Sequence, residues 1–181
     1  CRNRNACGLS DVEEDDDRMS TLSVTPDVAL AAEFIALEAD LLDSRDYAAW
    51  LALWVPDGKY VVPVNPDETN YEDMLNYAYD DAAMRDMRVR RLTSGESMSA
   101  AHAGRTLRSV SRFRLLGQND RGDLLVRSAQ QLIEYKFNRH RTYAANVEWA
   151  LRPEGESFRI VEKVVRLLNG GDALAGITFL L

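Results

Sequence analysis

From Gly104 onward the apolar side chains recur at every second position, whereas before it they recur at every third or fourth. Period 2 marks a strand with one face on a core, and period 3.6 marks an amphipathic helix. A chain that spends its helices first and its strands afterwards has few folds open to it. The strands meander antiparallel, and the helices cover one face of the sheet they form, which is an α+β architecture.

The helical part opens at Thr25, placed to cap a helix, with Pro26 at the first helical position and Asp27 near the positive end of the dipole. Leu30, Phe34, Leu37 and Leu41 fall on one face of that helix. Asp46 caps a second, shorter helix carrying Tyr47, Trp50, Leu51 and Trp54, and Pro56-Asp57-Gly58 supplies the turn that stops it. A strand over Tyr60 to Val64, an irregular polar segment and a helix over Asp80 to Leu92 follow. The clearest strand is Thr142 to Arg152, where Tyr143, Ala145, Val147, Trp149 and Leu151 alternate with polar neighbours. Leu124 to Phe137, Ser157 to Leu168 and, more weakly, Leu107 to Leu116 read the same way, the last with Arg108, Arg112 and Arg114 sharing its second face. The apolar end, Leu174 to Leu181, reads as a last docked strand with Ile177, Phe179 and Leu181 on one side. No internal repeat is visible.

Residues 1–24 form an acidic tail: Asp11, Glu13, Glu14 and Asp15 to Asp17 repel one another and cannot build a core. Met19-Ser20 reads as a natural start, so the domain is expected to run from 25 to 181. No apolar run approaches the ~20 residues that span a bilayer, and no basic-then-apolar leader opens the chain, which makes the cytoplasm the expected compartment. A net charge of −7 disfavours nucleic acid as a partner. The arginines nevertheless cluster, in Arg85, Arg88, Arg90 and Arg91 and again in Arg105, Arg108, Arg112 and Arg114. Planar guanidinium groups in such numbers suit carboxylates across a subunit interface; a solvated face with scattered ion pairs is the plainer alternative.

The candidate chemistry is thin. Cys1 and Cys7 lie in the tail, and His102 and His140 are the only imidazoles. A Rieske cluster takes two cysteines and two histidines, which the domain cannot supply. His102 and His140 satisfy a facial triad by count but lack any local ligand spacing. Gly170-Gly171 is no phosphate loop, and Ser94 stands in no strand–turn–helix context for a nucleophile. Tyr47, Trp50, Trp54, Tyr60 and Trp149 could line the mouth of a curved sheet, with Asp46 or His102 beside it as an acid–base pair. Aromatics at helical spacing more often belong to a core.

Six stretches carry a resemblance: Glu38 to Asp43, Tyr47 to Leu53, Asp57 to Pro63, Arg88 to Leu92, Gly104 to Ser111 and Ile160 to Leu167, closed by Ile177 to Leu181. In this order and spacing the chain resembles the β (small) subunits of Rieske-type aromatic-ring-hydroxylating dioxygenases. It departs from them at Ser97-Met98-Ser99, where the family usually has a tryptophan before its Arg-Thr motif. The resemblance implies a nuclear transport factor 2-like (SnoaL-like) cone: a strongly curved, mostly antiparallel sheet with N-terminal helices across its concave side. It implies a larger α subunit that holds the Rieske [2Fe–2S] cluster and the mononuclear iron, commonly as three α and three β chains with the β chains forming a trimer. No cofactor, metal or catalytic residue is then expected in this chain, and Arg105, Arg108, Arg112, Arg114 and Phe179 are the candidate interface residues. The alternatives are a stand-alone dehydratase or isomerase of the same cone, using Asp46, Tyr47, Tyr60 and His102, or a binder of hydrophobic small molecules.

Overall fold

A computed structural model describes residues 26–94, 104–168 and 179–181. Thr25, Ser97-Met98-Ser99, His102, both cysteines, the acidic tail and 174–178 of the last expected strand lie outside them. Helices α1 (Pro26–Ser44) and α2 (Tyr47–Ala52) lead into strand β1 (Trp54–Pro63). Then come β2 (Asn76–Asp80), helix α3 (Ala82–Thr93) and strands β3 (Arg105–Gln118), β4 (Leu124–Lys136), β5 (Arg139–Glu154) and β6 (Ser157–Leu167). The strands form one open sheet in the order β2-β1-β6-β5-β4-β3. All neighbours run antiparallel except β1 and β6, which are parallel.

The expected α+β fold is present, and β4 and β5 follow the alternation. Tyr143, Ala145, Val147, Trp149 and Leu151 of β5 are all buried on the helix-covered face. The β4–β5 hairpin turns on Phe137 and Asn138, both with φ above 50°, which is the backbone twist a two-residue hairpin loop requires.

Three local readings are corrected. The buried stripe of α1 is Ala31, Phe34, Ile35, Glu38, Ala39 and Leu42, while Leu30 and Leu37 are nearly half exposed. The stripe is turned because α1 must deliver a carboxylate, Glu38, to the interior. Second, Trp54 opens β1 instead of closing α2, and Pro56-Asp57-Gly58 is an irregularity within that strand. Gly58 is needed there because a Cβ would stand 3.0 Å from the Ile160 carbonyl oxygen. Third, Arg108, Arg112 and Arg114 do not share a strand face. The β3–β4 register shifts between Ser111 and Arg114, and Arg112 takes a left-handed φ of 56° in that bulge.

On the outer face Arg166 donates to the carbonyls of Pro66 and Glu68, each at 2.7 Å, and to the Tyr71 hydroxyl. It thereby ties the loop between β1 and β2 onto the sheet. At the end of β2, Asp80 accepts two bonds from Arg88, at 2.5 and 2.9 Å. Beside it, Arg85 is buried with its guanidinium 4.3 Å above the Trp54 ring.

Candidate functional site

The concave side of the sheet, where a cone fold would hold a pocket, is occupied by the chain's own side chains. Trp50, Trp54 and Tyr60 stack edge to face in a triangle, with ring centroids 5.4 to 6.1 Å apart and every ring at least 96% buried. Trp149, from β5, closes the group and donates its indole N–H to Ser128 at 3.0 Å.

Lys163 enters this apolar setting from β6. A bulge makes that possible: Leu151 pairs with Ile160 but Ala150 pairs with Glu162, so Val161 is an extra residue. Strict alternation from Ile160 would bring Glu162 and Val164 inward; the bulge brings Lys163 and Val165 instead. The Lys163 ammonium donates to Glu38 Oε1 at 2.8 Å and to the Leu181 carbonyl at 2.9 Å, with the Trp149 ring 4.9 Å away. Trp50 Nε1 donates to the same Glu38 oxygen at 2.7 Å. Burial pushes the ammonium below its ordinary lysine value, against the pull of Glu38.

Residues 180–181 complete the plug. Tyr60 donates its hydroxyl to the Leu181 carbonyl at 3.2 Å and accepts the Leu181 N–H at 3.0 Å. Burial drives that phenol far above the usual tyrosine range. Arg108, from β3, donates to the Leu180 carbonyl and to Asp43. Asp43 also accepts the Thr106 hydroxyl at 2.8 Å and the Arg108 N–H at 2.6 Å. Leu180 and Leu181 are at most 3% exposed.

Asp46, Tyr47 and Tyr60 do not converge on an open pocket. Asp46 is exposed and caps α2 by accepting the Ala49 N–H at 3.1 Å. Tyr47 is buried in the core, and that burial raises its phenol pKa. His140 sits on the exposed β4–β5 hairpin beside the Tyr135 ring. Among the described residues no three His, Cys, Asp or Glu side chains group as metal ligands, and no helix is long and apolar enough to cross a membrane.

Of the interface candidates, Arg105, Arg112 and Arg114 are exposed. Arg108 is not: its charge is spent inside the chain on Asp43 and Leu180. Phe179 is partly buried, 5.4 Å from the Tyr143 ring. Glu38, Asp43 and Lys163 escaped the sequence reading. The one available signal was a lysine directly before the apolar pair Val164-Val165 of β6.

A family model described as "Ring hydroxylating beta subunit" matches residues 37–170. The chain is 34% identical over 128 residues to the small oxygenase component of a p-cumate 2,3-dioxygenase system from Pseudomonas putida, covering 70% of this chain and 71% of that one. It is 32% identical over 105 residues to a benzene 1,2-dioxygenase subunit beta from Pseudomonas putida, covering 54% and 56% of the two chains. The fold is that of the benzoate 1,2-dioxygenase β subunit from Burkholderia mallei, with a TM-score of 0.68 at 22% identity, covering 86% of this chain and 99% of that one.

Proposed function

This chain belongs to the ring-hydroxylating dioxygenase β-subunit family, and from that premise we propose that it supports a larger, iron-bearing α subunit without catalysing a step itself. The observation that carries the second half is the filled cone. Trp50, Trp54, Tyr60, Trp149 and the Leu180-Leu181 plug occupy the space an enzyme of this fold would give to substrate. The polar groups there, Lys163, Glu38 and Tyr60, are satisfied by one another and by Leu181.

In this reading the Rieske cluster and the mononuclear iron belong to the α subunit, three α chains assemble with three β chains, and the α subunit selects the aromatic substrate. The ligand supply agrees, since both cysteines stand in the first seven residues and a Rieske centre draws two cysteines and two histidines together.

The test is co-expression with a Rieske-type α chain. The two should co-elute in size-exclusion chromatography, with iron and ring-hydroxylating activity in the complex and no stoichiometric iron on this chain alone. An α chain that folds, loads iron and turns over equally well without it would overturn the proposal. So would tightly held iron on this chain that is lost in a His102→Ala or His140→Ala variant.

A further inference from the structure

A cavity of about 440 Å³ opens at the β4–β5 hairpin, lined by Glu134, Lys136, Phe137, Arg139 and Arg141. That volume suits a small molecule. The register explains what faces it: Glu134 stands opposite Arg141, and Lys136 opposite Arg139. Residues opposite each other share a face, as do residues two apart on one strand. The four side chains therefore stand in two rows on one side of the hairpin. Tyr143, next along that face of β5, packs on Phe179 of the terminal segment, which sets the cavity just outside the filled part of the cone.

The rows are unequal. The outer one sets two cations, Lys136 and Arg139, face to face, and like charges opposite each other destabilise a strand pair. The inner one holds a carboxylate in place. Glu134 is 3% exposed, and the backbone at Gly104 packs so closely on it that a Cβ there would stand 2.9 Å from its Cγ. Among the described residues none of the four charged side chains forms an ion pair. Three cations against one carboxylate leave the cavity formally two charges positive. At its rim the Phe137 ring is 73% exposed, with the Lys136 ammonium 5.3 Å from its centre.

We propose that this cavity binds a small aromatic acid carrying a ring hydroxyl, with the carboxylate between Lys136 and Arg139 and the hydroxyl donating to Glu134. The outer row supplies the charge-assisted donors a carboxylate needs, and a guanidinium can grip it through two parallel bonds. A phosphate dianion would suit that row as well, but it would bring more negative charge against the buried Glu134. A hydroxyl instead gives Glu134 the donor it lacks. Two residues along a strand separate the rows by about 6.8 Å, a gap that one benzene ring bridges. The Phe137 ring stands beside that path, placed for an edge-to-face contact. This ligand site goes beyond the subunit role and does not depend on it.

The experiment is isothermal titration of the full chain with 4-hydroxybenzoate, benzoate and inorganic phosphate. 4-Hydroxybenzoate should bind one per chain and about tenfold tighter than benzoate, the worth of one hydrogen bond to a charged group. Lys136→Gln/Arg139→Gln should weaken both acids about tenfold or more. Because it removes a like-charge pair, that variant should melt no lower than wild type, which separates a lost site from a lost fold. Glu134→Gln should shrink the preference for the hydroxylated acid while leaving benzoate bound. No binding by wild type, equal affinity for the two acids, phosphate as the tightest of the three, or binding that survives in Lys136→Gln/Arg139→Gln would each overturn the site. Co-elution of the same variants with an α chain, read in parallel, tests the subunit role separately.

Discussion

Lys163 on β6 and Glu38 on α1, 125 residues apart in sequence, meet at 2.8 Å with neither side chain more than 1% exposed. Removing one partner of a buried ion pair leaves the other charge stranded, at a cost of about 3–5 kcal/mol. Lys163→Met should therefore lower stability by that order in urea titrations. Adding Glu38→Gln, which keeps an acceptor for Trp50, should return part of the loss. Two single effects that simply add would show that the pair is not coupled.

The plug can be tested at its apolar and polar contacts separately. Leu180→Ala should cost about 2–5 kcal/mol, as for other buried leucines. Tyr60→Phe leaves the Leu181 N–H and carbonyl one partner short and should cost about 1–3 kcal/mol. Deleting residues 177–181 should lower the melting temperature more than Leu180→Ala does. If the shortened chain melts like the full one, the terminal segment does not brace the cone.

Asp43 holds three donors that join α1 to β3. Asp43→Ala should destabilise by about 3–5 kcal/mol, because the Arg108 guanidinium keeps its charge in a buried place. Asp43→Asn should be milder, retaining an acceptor oxygen. Equal losses for the two variants would mean that charge plays no part.

How much of this could be read beforehand depends on whether a strand kept its period. β5 is regular from Tyr143 to Leu151, and its inward face was legible residue by residue. The family resemblance was legible too, because it rests on order and spacing. What failed sits at bulges. Alternation cannot announce the extra residue at Val161 that turns Lys163 inward, nor the break after Ser111 that separates Arg108 from Arg114. The face of α1 was misjudged for a related reason: a helix is oriented by the residue its partner needs, and the partner of Glu38 lies on the last strand. Arg108 read as interface because arginine is seldom buried, and its acceptors come from opposite ends of the chain.

Glu162, on the outer face, gives a pH prediction. Burial raises its carboxyl pKa, with the nearby Glu148 charge adding to the effect. A carboxyl raised in the fold disfavours folding once both states are ionised, and this penalty disappears at pH values where both are protonated. Glu162→Gln should thus melt higher than wild type near pH 8 and converge with it below about pH 4. A difference that stays constant across that range would exclude ionisation as its origin.

The parallel seam between β1 and β6 also decides when the molecule can finish folding. Trp54 pairs with Ile160, and Val61 with Val164. As the chain leaves the ribosome, β1 has one possible neighbour early, β2, and must wait for about a hundred further residues before the other arrives. Long-range pairings of this kind are slow to form, and the waiting strand exposes apolar surface in the meantime. Newly made chains therefore pass through an interval in which the β6-facing edge of β1 stands unpaired.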